Sequence, residues 1–305
     1  MVDAFAAGPA LDYAQLTAGE FRAAFAVPAP ADDAGAAAAP IDRAIETAAG
    51  PMRVRVYDPR GAADPRDGAP LPITLYLHGG GFVIGSPDTT DGICRTLAVG
   101  ARTLVVSPAY RLAPEAPFPA GIDDAAAALR WVHDHAAELG GDAARIAVAG
   151  DSSGGNFAAV LAQQSRTGGP RIRHQLLLYP VLDAAFETPS YRAFATGYFL
   201  TAEMMRWFWR QDLPDAAPAG DPRVAPLRAA MLTGVPAATI VTAECDVLRD
   251  EAEAYAARLI AAGVPVACRR WPGQIHGFLL QQGVIDDADA ALRDAAGALR
   301  HALES

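Results

Sequence analysis

The chain of 305 residues contains no lysine, only three cysteines and no apolar run long enough to cross a bilayer. Because a phosphate-binding P-loop needs a lysine, that class of protein is excluded. Cys94, Cys245 and Cys268 are too far apart to predict a disulfide framework or a zinc site. The N-terminus lacks a basic segment followed by an apolar one, so we expect a cytoplasmic protein without a signal peptide. From the cysteine spacing and the absence of a long apolar run, we also expect neither a metal nor membrane contact.

Basic residues are fewer than acidic ones. The chain has 25 basic residues, all of them arginine, and 35 acidic residues, so its formal net charge is −10. This charge argues against binding to nucleic acids or to anionic membranes, which call for basic patches. Hydrophobic residues make up 51% of the chain, which is ample for the core of one α/β domain of this length.

Short apolar runs alternate with amphipathic segments over most of the chain. This alternation predicts an α/β fold with a mostly parallel, doubly wound sheet. The predicted strands are Met52–Tyr57, Ile73–Leu77, Thr103–Ser107, Ile146–Ala149, Gln175–Leu178, Thr239–Thr242 and Val264–Arg270, the first of them antiparallel or at an edge. The helices predicted between them are Asp91–Val99, Asp123–Leu139, Asn156–Ala162, Asp250–Ala262 and Asp287–Leu303.

Two segments depart from the alternation. Residues 1–50 are rich in Ala, Pro and Asp, and we predict one amphipathic helix over Leu11–Val27 followed by a linker. Residues 183–226 contain a large share of the aromatic side chains. We therefore divide the chain into an N-terminal region, residues 1–50, and an α/β domain, residues 51–305, with an insertion at about residues 183–226.

A candidate nucleophile lies in Gly150–Gly154, which fits the pattern G-x-S-x-G and follows the apolar run Ile146–Ala149. A serine on a sharp strand-to-helix turn has its hydroxyl lifted out of the sheet, and the helix that follows directs unsatisfied N–H groups towards it. The glycines leave room for neighbouring backbone. Because the pattern also occurs in ordinary glycine-rich turns, Ser152 becomes a nucleophile only together with suitable partners.

Such a serine needs a base and an orienting carboxylate, which follow it in the order acid, then histidine, in this type of fold. Of six histidines, His276 alone lies after this turn in a loop beyond the last predicted strand. Asp246 follows the strand Thr239–Thr242, at the edge of the sheet where catalytic groups collect. His276 is therefore the candidate base and Asp246 the candidate acid, with Glu244 as the alternative.

An oxyanion hole is predicted in the run of three glycines that follows His78. Consecutive glycines allow bare N–H groups to approach a developing oxyanion closely. In folds of this type, the loop works together with the N–H of the residue after the nucleophile. The candidate donors are Gly79, Gly80, Gly81 and Ser153, and we favour Gly80 with one neighbouring glycine.

Six separated segments together resemble the bacterial hormone-sensitive-lipase family of esterases, or family IV carboxylesterases: His78–Gly81, Tyr110–Glu115, Gly150–Gly155, Tyr179–Asp183, Asp246–Glu251 and Gly273–Phe278. The resemblance runs from about Leu71 to the C-terminus. It implies an α/β-hydrolase fold whose helical cap is formed by the N-terminal helices and the insertion. It also implies hydrolysis of short- to medium-chain acyl esters without a cofactor, and, since members often dimerise, a homodimer by analogy.

The chain departs from the family pattern at two positions. Ser153 stands where the family usually has alanine, and Val247 stands where it often has proline. Neither change removes a group that the chemistry needs, although Ser153 adds a hydroxyl beside the predicted oxyanion hole.

The leading hypothesis is therefore a serine carboxylesterase that acts on a small-molecule ester. An amidase or lactonase with the same triad is an alternative that the sequence does not separate from it. A ligand-binding receptor on the same fold is a further alternative, which the presence of Ser152, Asp246 and His276 disfavours, because such receptors have lost the histidine.

The aromatic insertion predicts a limit on substrate length. Trp207 and Trp209 lie about 200° apart on a helix of 3.6 residues per turn, within a helix predicted over Ala202–Asp212. A second short helix is predicted near Pro189–Phe194. We expect most of these rings to pack against the body, and one tryptophan or Phe208 to face the acyl pocket.

Overall fold

The computed structural model describes residues 12–25, 40–61, 68–213 and 220–304. The strands are β1 (Ile41–Thr47), β2 (Gly50–Tyr57), β3 (Leu71–Leu77), β4 (Leu104–Pro108), β5 (Gly141–Asp151), β6 (Ile172–Leu178), β7 (Ala237–Cys245) and β8 (Val266–Ile275). The α-helices are α1 (Ala18–Ala24), α2 (Asp91–Ala101), α3 (Ala120–Asp134), α4 (Ser153–Gln164), α5 (Pro189–Ala193), α6 (Ala202–Asp212), α7 (Arg249–Ala261) and α8 (Asp286–Glu304).

These strands form one eight-stranded sheet in the order β1-β2-β4-β3-β5-β6-β7-β8. The pairs β1–β2 and β2–β4 are antiparallel, and the remaining pairs are parallel. The predicted mostly parallel sheet is thus confirmed. Because β3 lies between β4 and β5, the chain order reverses there, and the crevice at the carboxyl ends of these strands is the place where such sheets bind ligands.

Strand β1 was not predicted, and the predicted boundary at residue 50 is wrong for this part of the chain. β1 pairs with β2 from Ile41↔Val56 to Thr47↔Gly50, so residue 50 lies in a hairpin of the sheet. Within β1 only Ile45 is buried. The strand lies at the edge of the sheet and therefore lacks the apolar alternation by which strands are recognised in a sequence.

The central strands are apolar because helices cover both faces of the sheet. One face packs on α2 and α8, through side chains such as Ile93, Leu97 and Leu292. The other face packs on α3, α4 and α7, through side chains such as Ile122 and Phe157. The core therefore has two layers, as expected of a doubly wound fold.

Two segments were predicted to form a cap. They correspond to α1 and to the pair α5 and α6, and they contact each other. The ring of Phe21 in α1 stacks on Trp207 in α6 with centroids 4.8 Å apart, and Trp207 Nε1 donates to the carbonyl oxygen of Leu16 at 3.1 Å. Arg22 in α1 forms a bidentate ion pair with Glu115 and donates to the carbonyl oxygen of Val83 at 2.9 Å. We call α1, α5 and α6 the cap.

The predicted helix over Leu11–Val27 is shorter in the structure. α1 begins after Thr17, whose side chain accepts a hydrogen bond from the Glu20 N–H while the Glu20 carboxylate accepts from the Thr17 N–H. This capping box defines where the helix starts. The ends of the predicted helix, Leu11 and Val27, lie outside the described residues.

We predict that Gly154→Ala destabilises the fold by about 3 kcal/mol, the upper end of typical overpacking costs. A Cβ at Gly154 would overlap the carbonyl oxygens of Leu77 and His78, so α4 could not pack this closely on β3. Gly297→Ala in α8 is the matched control, because a Cβ there meets nothing within 4 Å and alanine favours a helix. Urea unfolding measures both free energies, and equal stability of the two variants would contradict the prediction.

Candidate active site

Ser152 lies on a strained turn between β5 and α4. Its backbone has φ 53° and ψ −118°, a conformation that a non-glycine residue adopts only where the surroundings enforce it. The Ser152 N–H donates to the carbonyl oxygen of Leu178 at 2.9 Å, which ties the turn to β6. The close approach of Gly154 to β3 holds the other side of the turn. The side chain of Ser152 therefore projects from the carboxyl edge of the sheet, as predicted for the nucleophile.

The structure brings Ser152, His276 and Asp246 into one chain of hydrogen bonds. His276 Nε2 is 3.0 Å from Ser152 Oγ, and His276 Nδ1 is 2.7 Å from Asp246 Oδ2. All three residues are buried. Since a carboxylate can only accept, Nδ1 of His276 donates to Asp246, and Nε2 is left to accept the proton of Ser152. Side chains from three separate loops thus meet with the contacts that nucleophilic catalysis requires.

The alternative acid, Glu244, does not contact His276. Its Oε2 accepts a hydrogen bond from the Gly273 N–H at 2.6 Å. Glu244 thereby ties the end of β7 to β8, whereas Asp246 reaches the histidine because it lies beyond the end of the strand.

The glycine loop divides its N–H groups between two tasks. The Gly79 N–H donates to Asp151 Oδ1 at 2.9 Å, so it is not available to an oxyanion, and the prediction that includes Gly79 as a donor is wrong in this respect. Within the described residues, the N–H groups of Gly80, Gly81 and Ser153 have no hydrogen-bond partner. Gly80 and Gly81 have φ of 125° and 59°, which only glycine adopts readily.

Asp151 belongs to the candidate site, although the sequence analysis did not name it. Its Oδ1 accepts from the Tyr76 hydroxyl at 2.8 Å as well as from Gly79. Burial raises its pKa to about 6, although the hydrogen bonds from Tyr76 and Gly79 act in the opposite direction. Its position as the second residue of the G-x-S-x-G pattern, directly before Ser152, was the one signal that could have revealed it.

His78 and Tyr110 pack against each other at the start of the glycine loop. Their rings stack with centroids 4.1 Å apart, and the Tyr110 hydroxyl donates to the carbonyl oxygen of His78 at 2.6 Å. Burial lowers the pKa of His78 to about 4, so this histidine is neutral near pH 7. His78 Nδ1 lies 2.8 Å from the carbonyl oxygen of Gly79 and donates to it, which restrains the first peptide of the loop.

A cavity of about 520 Å³ opens at Ser152 and is closed by the cap. Its polar end consists of the glycine loop, Asp151 and His276. Its apolar side is lined by cap residues and neighbouring loops, namely Phe21, Phe25, Phe199, Leu200, Met204, Met205 and Phe208. Of the three aromatic residues singled out in α6, only Phe208 lines the cavity, while Trp207 packs on Phe21 and Trp209 on Phe82.

Fold and site together are those of an α/β-hydrolase. A family model described as alpha/beta hydrolase fold matches residues 74–280, and the chain belongs to this family. The predicted membership in the hormone-sensitive-lipase group is confirmed, and the chain is a carboxylic ester hydrolase.

Three similar proteins illustrate the relationship. Esterase LipI of Mycobacterium tuberculosis is 44% identical over 85% of this chain and 81% of its own length. Ethyl acetate hydrolase of Pseudomonas putida is 41% identical over 79% of this chain and 76% of its own length. The crystal structure of a thermostable esterase from Pseudomonas putida ECU1011 superposes with a TM-score of 0.90 at 39% identity, covering 99% of this chain and 95% of that one.

The described part of the chain has neither a metal-binding cluster nor a membrane-spanning helix. There, no group of three or more His, Cys, Asp or Glu side chains could hold a metal ion. No described helix is both long and apolar enough to span a bilayer. Cys94, Cys245 and Cys268 are free cysteines.

We predict that Asp151→Asn stabilises the protein at pH 8 but not at pH 4. Because the pKa of Asp151 is raised to about 6, the folded state binds an extra proton between about pH 4 and 6, and stability falls as pH rises through this range. Asparagine keeps an oxygen acceptor for Tyr76 and Gly79 but carries no charge. At about 1.4 kcal/mol for each pKa unit, the gain in unfolding free energy at pH 8 is up to about 3 kcal/mol.

Asp142→Asn provides a control of opposite sign. The hydrogen bond from Arg145 lowers the pKa of Asp142, so this carboxylate stabilises the fold above its unfolded pKa and loses that effect as pH falls. The substitution should therefore destabilise at pH 8, and this effect should shrink as the pH falls through the lowered pKa of Asp142. Urea unfolding at several pH values measures both variants, and a pH-independent effect of Asp151→Asn would contradict the account of its burial.

Proposed function

We propose that Ser152 is the nucleophile of a serine esterase, with His276 as general base and Asp246 as the orienting acid. The observation that carries this proposal is the chain of hydrogen bonds from Ser152 Oγ through His276 to Asp246, at 3.0 and 2.7 Å. Asp246 holds Nδ1 protonated and stabilises the imidazolium that forms when Nε2 takes the serine proton.

In the first half of the reaction, Ser152 Oγ attacks the ester carbonyl carbon as its proton moves to His276 Nε2. The carbonyl oxygen becomes an oxyanion beside the free N–H groups of Gly80, Gly81 and Ser153, and the N-terminus of α4 adds its partial positive charge. When the C–O bond breaks, His276 returns the proton to the leaving alkoxide. An alcohol departs, and the acyl group stays on Ser152.

In the second half, water replaces the alcohol. The water oxygen attacks the acyl carbon while His276 Nε2 takes a proton from the same water molecule. The same N–H groups hold the second oxyanion. Collapse of this intermediate breaks the bond to Ser152 Oγ, which recovers its proton from His276. This half of the reaction releases one carboxylic acid and returns Ser152 and His276 to their starting protonation states. No step requires a cofactor.

The shape of the cavity supports short to medium acyl chains as substrates. Its apolar wall includes the cap side chains Phe21, Met204, Met205 and Phe208, and we expect this wall to limit how far an acyl chain can extend. Phe208 contacts Phe21 with ring centroids 5.2 Å apart and leaves no room for a side chain at Gly81. The relative from Pseudomonas putida that is named ethyl acetate hydrolase agrees with a small substrate.

We predict that Ser152→Ala reduces kcat by roughly 10⁴-fold or more, since a triad without its nucleophile retains only the contribution of binding and the oxyanion hole. Ser165→Ala, at the other end of α4, is the control and should keep wild-type activity. The assay is hydrolysis of p-nitrophenyl butyrate, combined with peptide mapping after labelling by an organophosphate. Label on any residue other than Ser152, or full activity of Ser152→Ala, would refute the assignment.

We predict that Phe208→Ala shifts the preferred acyl chain to a longer one. Removal of this ring opens the wall, and each newly buried CH₂ is worth about 0.8 kcal/mol, or about fourfold in kcat/KM. Phe194→Ala is the matched control, because Phe194 belongs to the same segment and contacts Tyr198 without lining the cavity. A series of p-nitrophenyl esters from acetate to palmitate measures the optimum. An unchanged optimum in Phe208→Ala, or a wild-type optimum at palmitate, would contradict the proposal that Phe208 limits the length of the acyl chain.

A further inference from the structure

The cap is bonded directly to the turn that carries Asp246. Ser190, in the short helix α5, donates its hydroxyl proton to the carbonyl oxygen of Val247 at 2.6 Å. The Ser190 N–H donates to Asp250 Oδ2 at 2.7 Å. Thr188 Oγ1 lies 3.0 Å from Ser190 Oγ and donates to it, because the proton of Ser190 is already used. Ser190 and Val247 are both completely buried, so water does not compete for these bonds.

The carbonyl oxygen of Val247 and the N–H of Leu248 belong to one peptide group. At its other end, the Leu248 N–H donates to Asp246 Oδ1 at 2.9 Å, while Asp246 Oδ2 contacts His276. The peptide group is planar, so its N–H and C=O directions cannot change independently. A rotation that weakened the bond from Ser190 would therefore also turn the N–H that orients the carboxylate of Asp246.

A second bond restrains the same turn from the other side. The carboxyl group of Glu251, at the start of α7, is completely buried and accepts from the Leu182 N–H at 2.7 Å. Leu182 lies at the point where the chain leaves β6 and enters the cap segment. The turn between β7 and α7 thus contacts the cap segment at its beginning and again at α5.

We propose that Ser190 is a positioning residue for the acid, acting through the Val247–Leu248 peptide group on Asp246 and through Asp246 on His276. This inference rests on the proposed function, in which Asp246 orients the base. Neither Ser190 nor Asp246 lines the cavity. The cap therefore has two roles, closing the cavity with α1 and α6 and holding the catalytic acid with α5.

Ser190→Ala removes the hydroxyl donor while leaving the cavity wall intact. We expect kcat to fall about threefold to tenfold, the usual effect of one lost hydrogen bond, with KM unchanged. Because a poorly oriented carboxylate stabilises the imidazolium less, the acid limb of the kcat/KM profile should move to lower pH. The ionisable groups that face His276 are Asp246, Asp151 and Tyr179, and the substitution contacts none of them directly.

Thr201→Ala is the matched control for a merely structural role. Thr201 caps α6 by accepting from the Met204 N–H at 3.0 Å and has no bond to the Asp246 turn. We expect it to lower the thermal midpoint without changing kcat or the pH profile. Ser190→Cys keeps a side-chain donor at this position, although a weaker one, so it carries the test if Ser190→Ala does not fold, and it should show a smaller shift in the same direction.

A double-mutant cycle with Asp246→Asn separates the possible results. If Ser190 acts through Asp246, the loss of kcat caused by Ser190→Ala should largely disappear in the Asp246→Asn background. Equal losses in both backgrounds, or wild-type kcat and pH profile in the serine variants, would overturn the positioning role while leaving the triad in place. Full activity of Asp246→Asn alone would instead refute the proposed acid, so the two failures are distinguishable.

Discussion

The close approach of helix α4 to strand β3 is the constraint on which the site depends. Gly154 lies so near the carbonyl oxygens of Leu77 and His78 that no Cβ fits between them. This contact forces the chain to turn sharply at Ser152, which therefore has a positive φ. The same contact fixes the N–H of Ser153 at the start of α4, so the proposed nucleophile and one proposed oxyanion donor are positioned by a single packing requirement.

Two buried carboxylates lie near Ser152 and differ in what they bind. Asp246 accepts from Leu248 and His276, and in the proposed mechanism it stabilises a positive charge on the histidine. Asp151 accepts from Tyr76 and from the Gly79 N–H, so this N–H is engaged and does not serve the proposed oxyanion site. A carboxylate beside the proposed oxyanion hole would oppose the developing negative charge, and the two hydrogen bonds that Asp151 accepts spread part of its charge onto their donors.

In the proposed function, the cap connects substrate selection with the catalytic groups. Its aromatic residues pack on each other, as Phe21 does on Trp207, so the apolar wall is set by contacts within the cap and not by one ring alone. Helix α5 of the same layer is bonded to the turn that carries Asp246 through Ser190. A cap that moved as a unit would alter both the wall and the acid, and Ser190 and Tyr191 are the two residues that α5 buries against the body.

Patterns within the sequence were enough for the order of strands and helices, the serine turn, and the choice of His276 and Asp246, because apolar periodicity and position relative to strand ends are local properties. They did not reveal β1, whose exposed edge position removes the alternation, nor the engagement of Gly79 by Asp151. Both depend on neighbours distant in the chain. Tertiary structure alone decided which donors stay free, which ring lines the cavity and how Ser190 reaches the acid, since each is set by packing between separate elements.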